Sequence, residues 1–452
     1  MNLIEAVKAA GIVGAGGAGF PTHVKLNTKA EWFIVNAAEC EPLIETDKYL
    51  CRTYADHIVA AATAVAAHLG AAHTVIALKR KYEPEIAALQ AAIDKAGAAI
   101  KLFPMETFYP AGDEQTMVQL VTGKTVPERG LPIDVGAVVD NVGTLLNIYG
   151  ALTKGTGVHT KFLSVTGEVR EPVMLHVPIG TPITECIEAA KPDLRDYAVI
   201  LGGPMMGKVA ADPEAIRAAV VTKTTGNLLV LPRDHYLITR AQRPIERIAA
   251  QARSACIQCR MCTDLCPRYL IGHQIRPNLV MRNLYREKFI QDDGEFLRAF
   301  GDAANCCSCG VCEMFACPMG LSPRKVNEYM KVQLRERGIQ VPRNMVCEAQ
   351  EDINLHRIPT GRLVTRLGLA EYYGKHAHEC LELEPETVFV PFSQHIGKPA
   401  VPVKNAGDAV EAGELLAAAA EGGLSANIHA SITGVITEIT PAGARIARRK
   451  EG

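Results

Sequence analysis

A chain of 452 residues is too long for a single hydrophobic core, so its length calls for three or four domains. Lys and Arg total 48 against 49 for Asp and Glu, a balance that offers no basic field for nucleic acid or anionic lipid. Fourteen cysteines without disulfide-like spacing suit a reducing cytoplasm, the start Met1-Asn2-Leu3-Ile4-Glu5 is no signal peptide, and the most apolar run, 58–67, is about half a membrane span, so no transmembrane segment is expected.

Residues 1–157 read as an α/β domain. Leu3, Ile4, Val7 and Ala10 fall at helical spacing, which marks a core-packed helix in preference to a docking tag. A glycine-rich loop follows, with Gly14, Gly16 and Gly19 in GxGxxG spacing and Gly17 between them. A Rossmann fingerprint needs a strand before the loop and a helix opening from it. Here a helix precedes and Phe20-Pro21 follows, so the loop is read as a cradle of backbone N–H groups for a phosphate outside that fold. Strands at 32–35 and 74–78 alternate with helices at about 53–69 and 84–96, the mark of a layered, mostly parallel sheet. Residues 158–243 are β-rich, in the order strand, strand, helix, strand, strand of a β-grasp, with Gly202-Gly203-Pro204-Met205-Met206-Gly207 as a loop.

Residues 244–345 are helical around two cysteine runs. The first, Cys256, Cys259, Cys262 and Cys266-Pro267, has the CxxCxxCxxxCP spacing of a ferredoxin; the second, Cys306, Cys309, Cys312 and Cys317-Pro318, repeats it with four residues before the last cysteine. Two-residue gaps let three thiolates converge on one cluster while the cysteine before proline serves the partner cluster. Cys256, Cys259, Cys262 and Cys317 are therefore assigned to one [4Fe–4S] cube, and Cys306, Cys309, Cys312 and Cys266 to the other. Cys307 competes with Cys306, which is kept because it preserves the two-residue gaps. Zinc also takes CxxC pairs, but two matched runs each ending in Cys-Pro favour the cubes. Ser322-Pro323 is read as the N-cap and first turn of a helix. Residues 346–390 lack a period and are read as linker, with His356, His376 and His378 on the surface. Residues 391–452 show short alternating strands with frequent turns, an all-β module.

Gly16-Gly17-Ala18-Gly19-Phe20-Pro21-Thr22, Asn36-Ala37-Ala38-Glu39-Cys40-Glu41-Pro42, Gly112-Asp113-Glu114 and Asn141-Val142-Gly143-Thr144 occur in an order that resembles the flavin domain of the NADH-oxidising subunit of respiratory complex I. The likeness is closer to the RnfC component of the Rnf electron-transport complex and to the cobalamin reductases of propanediol-utilisation microcompartments. It implies FMN on the glycine loop, with Lys25, Asn36, Gly112, Glu114, Asn141 and Thr144 near its phosphate, ribityl chain or ring. It also implies NADH stacked over the flavin, with Phe20 near the nicotinamide and Glu39 or Glu41 near the dinucleotide. Where the complex I protein has Asp, this chain has Ala38. The middle unit resembles the soluble-ligand-binding β-grasp (SLBB) domain of the same families, and the last resembles a barrel-sandwich hybrid without a carrier lysine near Ser431-Ile432-Thr433. In the Rnf protein that module comes first in the chain; here it comes last, the order of the microcompartment enzymes.

The resemblance implies an NADH-dependent reductase that passes single electrons through FMN and two [4Fe–4S] clusters to a corrinoid, cob(III)alamin to cob(II)alamin, inside a bacterial microcompartment. No side chain is assigned as acid, base or nucleophile, because the cofactors carry the chemistry. An adenosyltransferase and a shell protein are the implied protein partners. An Rnf-like component serving a membrane complex and a cluster-bearing relay with an empty glycine loop are the alternatives.

Overall fold

A computed structural model describes residues 2–449; residue 1 of the first expected domain and residues 450–452 of the last lie outside the described residues. The chain is multidomain, with α/β, β-grasp, helical and all-β units in that order. In the first unit four parallel strands, β1 (Trp32–Asn36), β2 (His73–Lys79), β3 (Lys101–Met105) and β4 (Ala137–Asn141), lie in the order β3-β2-β1-β4. Parallel strands bury both faces, which is why β1 and β4 open on apolar runs, 32–35 and 137–139. One face, with Phe33, Val35 and Val138, is covered by α1 (Leu3–Ala9), α2 (Thr46–Thr53), α3 (Ala55–Leu69), α4 (Glu83–Ala96) and α6 (Val142–Lys154). The other face, with Ile34, Ala77 and Val139, is covered by α5 (Glu114–Thr122) through Met117 and Val118.

The second unit has Asn227–Pro232 at its centre, parallel to Thr160–Gly167 and antiparallel to Tyr197–Leu201. Val173–Pro178 pairs with Thr160–Gly167, and a short strand the sequence did not announce, Lys208–Ala210, pairs with Tyr197–Leu201. The helix Ile183–Ala189 buries Ile183, Cys186 and Ile187 against this sheet.

Residues 346–390 are not a free tether, contrary to the linker reading. Ile358–Pro359 pairs with Phe108–Tyr109 of the α/β unit, the helix Thr360–Arg366 follows, and Cys380–Glu382 adds a parallel edge strand beside Val173–Pro178. Pairings of two or three residues are too short to leave an alternating pattern. His376 lies on the surface, as expected, with its Nδ1 3.1 Å from Glu45 Oε1.

The helical unit packs Pro277–Asn283, Asp293–Phe300 and Pro323–Glu336 around Phe296, Phe300, Val326 and Met330. Ser322 precedes the last of these helices, but its side chain does not cap it. The Ser322 hydroxyl instead accepts from Arg240 Nη2 at 3.1 Å, because Arg240, 1% exposed, is fully engaged there with Glu313 and nearby carbonyls. The C-terminal module stacks a sheet of Thr387–Pro391, Gly443–Arg448, Gly434–Thr440 and Ala409–Val410 on one of Val401–Pro402, Leu415–Ala418 and Ile428–His429, around Val388, Phe392, Leu416 and Ile446.

Candidate cofactor sites

The glycine loop closes on itself. Gly14 N–H donates to Phe20 O at 2.9 Å and Gly19 N–H to Gly14 O at 3.1 Å, and Val13 bridges Pro21. Gly17 and Gly19 take φ of +109° and +66°, values that disfavour any side chain. A Cβ on Gly17 would meet nothing within 4 Å, so the tip opens to whatever approaches it. Among the described residues the N–H groups of Gly16, Gly17 and Ala18 have no acceptor in the chain, and all three residues are exposed. Free N–H groups on an exposed glycine turn are the donor set a phosphate requires.

Asn141 and Thr144 hold this loop from behind. Thr144 Oγ1, fully buried, accepts from Ala15 N–H at 3.0 Å. Asn141 Oδ1 caps α6 by accepting from Gly143 N–H at 2.8 Å, its Nδ2 donates to Asp47 Oδ2 at 2.7 Å, and a Cβ on Gly16 would sit 3.3 Å from its side chain. Lys161, from the β-grasp unit, donates to Ala15 O at 3.0 Å; burial pushes its ammonium down to about 8. At the C-terminal end of the sheet Lys25 Nζ donates to Val139 O at 2.8 Å and to Glu114 Oε1 at 3.2 Å, and lies 3.6 Å from Asp140 Oδ1. Burial alone would lower the Lys25 pKa, yet Asp140 and Glu114 outweigh it and keep the side chain cationic. Burial lifts the Asp140 carboxyl to about 6.

Asn36 Nδ2 donates to Gly112 O at 2.9 Å, which joins the second and third motifs. Cys40 packs against Gly112, and Phe20 is partly exposed. Glu39 adopts φ +33°; its carbonyl accepts from Lys79 Nζ and Tyr82 OH, and burial with Asp47 nearby holds its carboxyl well above the usual range. Glu41 reaches across to the β-grasp unit. Its two oxygens accept the N–H groups of Met205 and Met206, both at 2.9 Å, so it clasps the glycine loop of the β-grasp unit.

The cysteines gather as two sets. Cys256, Cys259, Cys262 and Cys317 line one pocket. Cys266, Cys306, Cys307, Cys309 and Cys312 line another. Each run thus lends its last cysteine to the other. Among the described residues no three His, Cys, Asp or Glu side chains close on a single point as one metal ion needs; the thiols ring a space instead. The two runs also share a backbone path. Gln258 and Arg260 have positive φ in the first, and Ser308 and Gly310 at the matching places in the second. Gln258 Nε2 lies 3.2 Å from Cys256 Sγ, and Ser308 N–H donates to Cys306 Sγ at 3.4 Å. This repeat aligns Cys306, rather than Cys307, with Cys256. The extra residue before Cys317 is absorbed as a π-helical turn over Cys312–Ala316, where the first run has the α-turn Met261–Asp264. A π-turn takes up one inserted residue without unwinding its neighbours.

The Cys306 set faces the α/β unit. Tyr109 OH, fully buried, donates to Cys309 O at 2.8 Å, and Arg268, two residues beyond Cys266, forks onto Asp113 with contacts of 2.5 and 2.9 Å. The Cys256 set faces outward: Cys259 is exposed, and Ile257, Met261 and Met319 around it are 60%, 43% and 43% exposed. Tyr109, Arg268 and Lys161 carried no signal in the sequence, since each partner comes from another domain.

Models of known families match the chain unit by unit: a Nuo51 FMN-binding domain over residues 7–150, an SLBB domain over 162–209, a 4Fe-4S dicluster domain over 255–322 and an RnfC barrel sandwich hybrid domain over 375–450. Cobalamin reductase PduS of Citrobacter freundii is 38% identical over 98% of this chain and 96% of its own length. The protein of the same name from Salmonella typhimurium is 40% identical, again over 98% and 96%. The C component of the ion-translocating oxidoreductase complex of Vibrio cholerae is 33% identical over 61% of this chain and 34% of its own length. A chain of the NAD+-reducing [NiFe]-hydrogenase in the H2-reduced state covers 75% of this chain and is covered over 67% of its own, at 22% identity and a TM-score of 0.49. Matched over 98% of its length by relatives 38% and 40% identical to it, the chain belongs to the family of the PduS cobalamin reductases.

Proposed function

We propose that this chain is a flavin and iron–sulfur cobalamin reductase that draws electrons from NADH and delivers them singly to a corrinoid, cob(III)alamin to cob(II)alamin. The observation that carries the reading is continuity: the glycine-loop unit touches the Cys306 set directly, through Tyr109 on Cys309 and Asp113 on Arg268. Bound FMN would supply the junction between two-electron hydride chemistry and one-electron transfer, and two cubes would supply the one-electron path.

The residues present fit those groups. The N–H groups of Gly16, Gly17 and Ala18 are donors for a phosphate, and Asn141 and Thr144 keep the loop in shape. Cys266, Cys306, Cys309 and Cys312 would hold the inner cube, and Cys256, Cys259, Cys262 and Cys317 the outer one. The exposed rim at Cys259 is then where the acceptor arrives. Partnership with an adenosyltransferase, contact with a shell protein and residence in a microcompartment extend the same reading.

A corrinoid acceptor is favoured over a membrane complex because the cobalamin reductases match 98% of the chain and the ion-translocating protein 61%. Among the described residues no helix is long and apolar enough to cross a membrane. The test is an anaerobic preparation with iron, sulfide and flavin quantified, then given NADH and cob(III)alamin without membranes. Two cob(II)alamin formed per NADH consumed supports the reading; NADH oxidation with no reduced cobalt removes it.

A further inference from the structure

The first and last units of the chain meet at the glycine loop. Ile396 N–H, from the C-terminal module, donates to Gly19 O at 3.0 Å, and a Cβ on Gly19 would lie 3.4 Å from His395 Cα. At the other end of the loop Asn427 Nδ2 donates to Ala9 O at 3.2 Å, and Gly11 lies so close that a Cβ there would sit 2.1 Å from Asn427 O. Lys223 of the β-grasp unit, 3% exposed, locks this corner: its Nζ donates to Gly11 O at 2.7 Å and to Asn427 O at 2.6 Å. Its backbone N–H donates to Gln394 Oε1 at 2.9 Å, beside the Ile396 contact. The loop is therefore gripped before and after its open tip by a module that follows it in sequence by most of the chain.

We infer that the C-terminal all-β module is a clamp that holds the glycine loop in its phosphate-receiving shape, with Ile396 N–H, Asn427 and Lys223 as positioning groups. The inference rests on the flavin reading above. Glycine loses more backbone freedom on ordering than any other residue, so an unsupported loop with four glycines in residues 14–19 would spend binding energy on its own ordering. Contacts at both ends remove that cost before the ligand arrives. Ser431 and Ile432, at the hairpin where a carrier would bear its swinging group, are each 3% exposed and fixed in the fold. Coupling of this kind is reciprocal, so a bound flavin tightens the module as much as the module favours the flavin.

The test uses the full chain, with FMN as the probe and iron content as the check on folding. Ile396→Pro deletes the N–H donor and Lys223→Met deletes the two Nζ donors to Gly11 O and Asn427 O; each is expected to weaken FMN binding about tenfold with iron retained, while Ile396→Ala, which keeps the donor, stays within about twofold of wild type. Hydrogen exchange on the unmodified chain gives a second reading: FMN slows exchange at Ile396 and at 424–428 as well as at Gly14 and Gly19. Wild-type FMN affinity in both I396P and K223M, or exchange at Ile396 indifferent to FMN, overturns the clamp. If either variant loses iron, the exchange measurement decides. A wild-type chain that binds no FMN is a different result and overturns the flavin reading itself.

Discussion

Arg268 is the residue on which the joint between the loop domain and the inner cysteines turns. It and Asp113 have side chains 10% and 17% exposed and meet in a two-point fork, so replacement by methionine leaves a carboxylate in a site with little water. Breaking a buried pair from one side costs about 3–5 kcal/mol, and the residual exposure here argues for the lower figure, about 3 kcal/mol. Asp113 also caps α5, accepting from Thr116 N–H at 2.9 Å, a bond that Asp113→Asn retains. For a domain of this size about 3 kcal/mol lowers the midpoint of its thermal transition by about 6–12 °C. In a double-mutant cycle R268M and D113N should couple by about 2 kcal/mol or more at pH 7. Burial alone would raise the Asp113 pKa, but Arg268 and the Thr116 N–H outweigh it and hold it below its usual value. Its contribution is therefore present above about pH 4 and lost as pH falls through the folded-state value. NADH-driven bleaching of the clusters should slow in R268M, while NADH oxidation by a small soluble oxidant survives. Additive single effects, with coupling below about 0.5 kcal/mol, would refute the joint.

Three more expectations follow from the same contacts. Cys266→Ser should erase the paramagnetic signal of the Cys306 set and spare that of the Cys256 run in which it lies, with about half of the iron lost. Lys25→Met should strand Asp140 beside Glu114, destabilising the first unit by about 3 kcal/mol and weakening flavin binding, read by melting and by flavin fluorescence. Burial raises the Glu41 carboxyl to about 7, so its native form holds a proton that the unfolded chain has released above about pH 4.5. Stability from this group is full below that value and lost as pH rises through about 7. Between pH 5 and 7 the wild type should therefore lose stability relative to Glu41→Gln, and the gap should level off above about pH 8.

Spacing made the cysteine sets legible, because a cube demands thiols at fixed intervals along the chain. The extra residue before Cys317 was visible but its consequence was not: a π-turn is a choice of hydrogen-bond partner that composition does not announce. The parallel sheet showed itself through the strands at 32–35 and 74–78 alternating with helices, whereas the strap over 346–390 pairs too few residues at a time to leave a period. Ser322 had the right chemistry for a cap, and tertiary demand from Arg240 took its hydroxyl instead. Arg268, Glu41 and Lys223 were unreadable for a common reason. Each acts on a group 155, 164 or 212 positions away, and one sequence carries no record of such pairings.

The central claim is that electrons enter at the glycine loop and leave by the exposed cysteine set, with the buried set between them. Rapid freezing of an anaerobic single turnover, NADH against Cys259→Ser and Cys309→Ser, tests it most directly. The account predicts that C259S still reduces the inner set and stalls before cobalt, while C309S oxidises NADH and reduces neither the outer set nor the corrinoid. Reduction of the outer set in C309S at the wild-type rate would contradict it.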